Sequence, residues 1–114
     1  MSKVYWVTGM SGVGKTTFAN ILKKKLNERK IVSILIDGDE LREILKKENS
    51  YSKEERIEVA MIYSKLAKLI SNQGITVIVS TISLIKEIHS WNKQNLKNYI
   101  EILIKRYISE IIKN

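Results

Sequence analysis

Residues 9–16 read Gly-Met-Ser-Gly-Val-Gly-Lys-Thr, the G-x-x-x-x-G-K-[ST] spacing of a phosphate-cradling loop. Glycines at 9, 12 and 14 let backbone N–H groups converge where side chains would block them. The flanks match the motif's needs. Residues 3–7 are a short β-branched and aromatic run, expected to be a buried strand. Residues 17–26 place Phe18, Ile21, Leu22 and Leu26 at helical spacing. A strand, a tight loop and a helix in this order point the helix N-terminus at the loop, where its positive end favours phosphate oxygens. Lys15 is positioned to reach the β- and γ-phosphates, and the Thr16 hydroxyl to ligate Mg²⁺. The predicted nucleotide contacts are Gly9, Met10, Ser11, Gly12, Val13, Gly14, Lys15, Thr16 and Thr17, with a nucleoside triphosphate and Mg²⁺ as the species bound.

The rest of the chain repeats the alternation of strand and helix. Residues 31–36 read as a second buried strand ending at Asp37-Gly38-Asp39. Charged residues at the carboxyl end of a parallel strand lie where open α/β sheets bind ligands. Asp39 reads equally as the cap of a helix over 40–46 or as a ligand contact, whereas Asp37 is harder to explain structurally, because it ends an apolar strand without starting the helix. Ser52 and Glu55 match a capping box ahead of a long helix over 53–72, apolar at Ile57, Ala60, Met61, Leu66, Leu69 and Ile70. Residues 75–79 form a third predicted strand, followed by Ser80-Thr81-Ile82-Ser83. A helix is expected over 84–95, with the lone His89 read as a surface or helix-packing residue rather than a catalyst. A strand over 99–104 and a short amphipathic helix over 105–114 complete the chain. The fold class is therefore α/β: a P-loop NTPase-type three-layer sandwich with about four parallel strands and helices on both faces.

At 114 residues the chain is one domain at most, short for a kinase built on five strands. It has no cysteine, which excludes disulfides and cysteine-based metal or redox sites. No run approaches the roughly 18 apolar residues of a membrane span. The first strand begins too early to leave room for a signal peptide, so a cytoplasmic location is expected. The net charge of +8 comes from 20 Lys and Arg against 12 Asp and Glu. No nucleic-acid-binding motif accompanies it, so a basic surface around a site for polyanionic nucleotides is the preferred reading over nucleic acid. Lys23-Lys24-Lys25 is expected to be a solvated helix face.

These motifs resemble the adenylylsulfate kinases, from Trp6 to about Ile104. The loop Trp6–Thr17 is similar to theirs, and Asp37-Gly38-Asp39-Glu40-Leu41-Arg42 matches a D-G-D-x-x-R signature. Ser52–Arg56 resembles S-x-x-D-R, and Ile82-Ser83-Leu84 resembles I-S-P. The resemblance implies transfer of the ATP γ-phosphoryl group to the 3′-hydroxyl of a small nucleotide, nominally adenylylsulfate, in sulfate assimilation. It implies Lys15, Asp37 and Ser83 as catalytic residues, Ser83 matching a serine described as phosphorylated in family members. It implies Thr16 and Asp37 at the metal, and Asp39, Arg42, Arg56, Ile82 and Ser83 as acceptor contacts. Planar forked arginines suit an anionic acceptor.

Three departures accompany the resemblance. Glu58-Val59-Ala60-Met61-Ile62 stands where the family places a polar E-N-x-R-R pattern. Leu84 replaces the turn proline, and the family's basic lid and last strand are not found. Ser80–Ser83 and Ser90-Trp91-Asn92 resemble a subset from bacterial surface-polysaccharide loci, which implies a cytidine diphosphoramidate as the alternative acceptor. A nucleotide-binding remnant without transfer is the rival from another class. A sheet edge lacking its last strand would favour a homodimer.

Overall fold

A computed structural model describes residues 2–9, 14–49, 52–82 and 85–104. Four strands make one sheet: β1 (Val4–Thr8), β2 (Ser33–Asp37), β3 (Thr76–Thr81) and β4 (Tyr99–Leu103). They lie in the order β2-β3-β1-β4, and every neighbouring pair is parallel. Parallel pairing brings all four carboxyl ends to one edge. The register aligns them closely: Thr8 pairs with Thr81 and with Leu103, and Asp37 with Ser80. The helix expected over 105–114 lies outside the described residues.

Strand alternation divides the core into two layers. On one face Val7 and Ile78 pack with Ala19 and Leu26 of α1 (Lys15–Glu28), supported by Phe18 and Leu22. On the other, Val4, Trp6, Val77 and Val79 pack with Val59, Ala60, Tyr63 and Ala67 of α3 (Lys53–Ser71) and Ile88 of α4 (Lys86–Asn95). The expected three-layer arrangement is therefore present. Ser52 caps α3 as its sequence predicts: its hydroxyl accepts from Glu55 N–H at 3.1 Å and donates to Glu55 Oε1 at 2.9 Å. His89 Nδ1 lies 2.6 Å from Glu101 Oε1 on β4. Tyr99 donates to the same oxygen at 2.8 Å, and the buried Asn92 donates to Tyr99 Oη at 3.3 Å. Burial pushes the Tyr99 phenol well above its ordinary pKa.

Several expectations are corrected. Ile31 and Val32 precede β2 and are exposed, and Ile34 is also exposed, because β2 is an edge strand with one neighbour. Leu69 is exposed: the sheet and α4 cover only part of the wide apolar surface of α3. β3 continues to Thr81, so Ser80 and Thr81 belong to the strand rather than to the turn after it. Lys23 is not simply solvated; its Nζ donates to the Ser33 carbonyl at 2.5 Å and ties α1 to β2.

At the junction of β2 with α2 (Gly38–Ile44) the backbone lies close against β3. A Cβ added to Gly38 would sit 2.8 Å from Thr81 Oγ1, 3.0 Å from Thr81 Cβ and 3.1 Å from the Ser80 carbonyl oxygen. These neighbours belong to the central strand β3, which cannot easily retreat. Gly38→Ala is expected to lower stability by about 1–3 kcal/mol, the usual cost of overpacking. For a chain of this size that is a fall of several degrees in Tm. Thermal unfolding followed by circular dichroism checks this, and an unchanged midpoint would show that α2 can lift away from β3 without cost.

Candidate functional site

A cleft of about 190 Å³ opens at the carboxyl edge of β2 and β3. The start of α1 forms one wall with Gly14, Lys15, Thr16 and Thr17. Gly14, at φ 93, is the residue before the helix and occupies the left-handed region that suits glycine. No acidic side chain lies in the first turn of α1, whereas α2 and α3 both carry carboxylates there. The positive end of α1 thus meets the cleft uncompensated by its own helix, and with Lys15 it makes an anion-binding wall.

Asp37 and Asp39 form the opposite wall, and Ser80, Thr81 and Ile82 of β3 and its exit form the floor. The geometry corrects the sequence reading of the two aspartates. Asp37, not Asp39, caps α2: its Oδ1 accepts from Asp39 N–H at 2.9 Å, and the helix begins at Gly38. The reason is steric. Without a Cβ, Gly38 can press against β3 and take the first helical position at once. Asp37 Oδ1 is thereby fixed, while no bond to its second oxygen is found among the described residues.

A second hollow, lined by Asp39, Arg42, Glu43 and Glu48, adjoins the cleft through Asp39. Arg42 is half-buried on the last turn of α2. Beneath the junction lies Tyr63 of α3, 2 % exposed, whose hydroxyl donates to the Gly38 carbonyl at 2.7 Å. Its pKa is pushed up to about 12, chiefly by burial and further by Asp39 and Asp37, against the lowering influence of Arg42.

The structure therefore brings together Gly14, Lys15, Thr16, Thr17, Asp37, Asp39 and Ile82, with Arg42 next door. Arg56 stands exposed on the first turn of α3 and lines neither hollow. Gly9 follows β1 directly. Met10, Ser11, Gly12, Val13 and Ser83 lie outside the described residues. Sequence reasoning missed Thr81 and Tyr63. Thr81 carried the same signal as Asp37, a polar residue closing an apolar strand. Tyr63 carried none, because its partner is a backbone carbonyl 25 residues away.

Among the described residues no group of three or more His, Cys, Asp or Glu side chains could hold a metal. A metal in this cleft would rest on Thr16, Asp37 and the oxygens of a bound phosphate, the manner in which Mg²⁺ is held beside nucleotides. The donor set fits that use. Among the described residues no helix is long and apolar enough to cross a membrane.

Comparison with known proteins gives the chain its family. The cytidine diphosphoramidate kinase of Campylobacter jejuni is 44 % identical over 109 residues, covering 96 % of this chain and 64 % of that protein. The adenylyl-sulfate kinase of Pseudomonas aeruginosa is 36 % identical over 109 residues, covering 94 % of this chain and 56 % of that protein. The chain thus spans under two thirds of the length of these relatives. In three dimensions it matches the APS kinase of Mycobacterium tuberculosis in complex with AMPPNP and APS. That match has a TM-score of 0.85 at 28 % identity and covers 98 % of this chain and 67 % of the other. The model of the adenylylsulphate kinase family matches residues 1–112, and the chain belongs to that family.

Proposed function

We propose that this chain carries the donor and acceptor walls of a nucleotide kinase, which moves the γ-phosphoryl group of ATP to a hydroxyl of a small nucleotide. One observation carries the reading. The cleft sets Lys15 and Thr16, at the positive end of α1, across from Asp37 and Asp39, and Asp39 is shared with the hollow that holds Arg42. Donor and acceptor would meet at that shared carboxylate.

Each side chain has a role in the proposal. Lys15 offsets charge on the transferring phosphoryl group, and the α1 N-terminus holds the phosphates. Thr16 and Asp37 would hold Mg²⁺, which would supply positive charge to offset the phosphates. As the alternative to holding the metal, Asp37 would orient the acceptor hydroxyl and take its proton; with Asp37 on the metal, the proton would pass to an oxygen of the transferred phosphoryl group. The acceptor oxygen bonds to phosphorus as the bond to the ADP oxygen breaks, in line. The cap bond fixes Asp37 Oδ1, so the carboxylate is oriented before any ligand arrives. Arg42 grips the acceptor's anionic group, and Arg56 is retained as a second cation only through its place in the family motif. Ser83 is kept as an acceptor contact on the same ground.

Two acceptors compete. Adenylylsulfate is supported by the family model and by the APS held in the Mycobacterium tuberculosis enzyme. Cytidine diphosphoramidate is favoured by the higher identity of the Campylobacter jejuni kinase, and by α3 itself. Val59 and Ala60 are packed in the core and Met61 and Ile62 are half-buried, so this stretch offers the acceptor no polar side chain.

Ligand that binds only the folded state must raise the melting midpoint; saturation at a hundred times Kd adds about 2.7 kcal/mol. Mg·ADP is expected to raise Tm by several degrees in the unmutated chain and not in Lys15→Ala. An equal shift in both would refute the loop's role. In transfer assays with each acceptor, Lys15→Ala is expected to be slower by about a hundredfold to a thousandfold. Nucleotide binding with transfer to neither acceptor would instead identify a binding remnant. Arg42→Ala is expected to raise the acceptor KM by about tenfold to a hundredfold, the worth of a charge-assisted hydrogen bond, with the Mg·ADP shift unchanged. Loss of both together would remove Arg42 from the acceptor side.

A further inference from the structure

We propose that Tyr63 is a positioning residue for the acceptor wall: its hydroxyl holds the Gly38 carbonyl, and through it sets where Asp37, Asp39 and Arg42 stand. The proposal rests on the functional reading above for its consequence, but its geometry stands apart from it.

The apolar role of Tyr63 does not need a hydroxyl. The ring is packed among Val59, Ala60, Ala67 and the strands of the α3 face, where a phenylalanine would bury the same carbon surface. A buried hydroxyl is costly unless it is paired. Here it is paired with one group, the carbonyl between the two site aspartates, at 2.7 Å. Burial raises the phenol's pKa to about 12, so it remains a protonated donor at every ordinary pH.

That bond matters because α2 is thinly attached. The helix has seven residues, and only Gly38 in it is buried. Leu41 packs against the core while Ile44 is 73 % exposed. Contact with β3 bears on one side of Gly38, through Thr81 and the Ser80 carbonyl. Tyr63 reaches the same residue from α3. Gly38, the first residue of α2, is thus caught between a steric stop and a hydrogen bond. The carbonyl it holds belongs to the residue between Asp37 and Asp39, so the bond acts on the backbone that carries both. On the donor side, α1 is attached separately, through Ala19, Leu26 and Lys23. Loosening Tyr63 should therefore disturb the acceptor wall and spare the donor wall.

Tyr63→Phe tests this, with Tyr99→Phe as control. Tyr99 is the other deeply seated tyrosine of this face; it bonds Glu101 and lines neither hollow. Two readouts are needed. The first is the amide of Asp39 by NMR, which reports the cap bond to Asp37 directly. In Tyr63→Phe its shift is expected to move and its hydrogen exchange to quicken about tenfold; in Tyr99→Phe neither should change. The second is steady-state transfer to adenylylsulfate and to cytidine diphosphoramidate. Tyr63→Phe is expected to raise the KM for the acceptor used about tenfold, with the Mg·ADP melting shift intact. A displacement of reacting groups by about 1 Å is enough for such losses.

An Asp39 amide identical in Tyr63→Phe and the unmutated chain overturns the proposal. So does an unchanged acceptor KM, and so does a loss of Mg·ADP response equal to the loss of acceptor, which would mark a general weakening of the core. If the unmutated chain phosphorylates neither acceptor, the functional reading fails on its own, and the Asp39 amide alone decides the role of Tyr63.

Discussion

The close approach of Gly38 to β3 is the contact on which the candidate site depends. Parallel strands deliver their carboxyl ends to one edge, but that alone leaves the side chains beyond those ends unplaced. At β2 the chain turns into a helix within one residue, because a glycine can lie against Thr81 and Ser80 where any side chain would collide. The immediate turn makes Asp37 the helix cap and carries Asp39 into the cleft. Had the helix begun a residue or two later, Asp37 would close the strand uncapped and Arg42 would stand elsewhere. A single missing methyl group thus bears on how two carboxylates and a guanidinium stand relative to the start of α1.

The fold was legible because its signals are local and periodic. The loop glycines, the strand runs and the Ser52–Glu55 capping box each depend on residues within a few positions. Those signals place four strands and the helices between them. What escaped the sequence was set by neighbours distant in the chain. Ile31 and Val32 look like strand interior, yet they lie outside an edge strand with nothing over them. Leu69 fits the helical stripe of α3, but which part of a wide stripe is covered depends on where α4 lies. Asp39 looked the better cap because polar helix-forming residues follow it, and only the packing of Gly38 shows that the helix starts earlier. Tyr63 is the extreme case. Nothing in its own segment announces a bond to a backbone carbonyl on another element.

Charge is arranged against the overall balance. The chain carries +8, yet the hollow beside the cleft gathers Asp39, Glu43 and Glu48 around Arg42. A basic exterior raises the local concentration of polyanionic nucleotides, whereas fixed carboxylates inside a cleft favour a cation and take up a proton. The two tendencies are compatible because they act at different ranges. Exposed lysines work over about a Debye length and weaken with salt, while the aspartates act on what is already bound.

The two walls of the cleft differ in how they are built. The donor wall is the start of a 14-residue helix whose inner face is locked into the sheet, and much of its binding power lies in backbone groups and helix polarity. Such a wall is indifferent to most side-chain changes, which is why the same loop serves many nucleotide-binding proteins. The acceptor wall is a seven-residue helix held by a cap, a steric stop, one leucine and one phenol. Its attachment can be altered by few substitutions, with little effect on the sheet. In the kinase proposed above, such a build would let the phosphoryl donor stay fixed while the acceptor is exchanged. On that reading the apolar stretch at Val59–Ile62, packed in the core or half-buried, would offer the acceptor no polar contact and leave α1 untouched. Specificity would then reside as much in the residues beneath α2 as in those that face the acceptor.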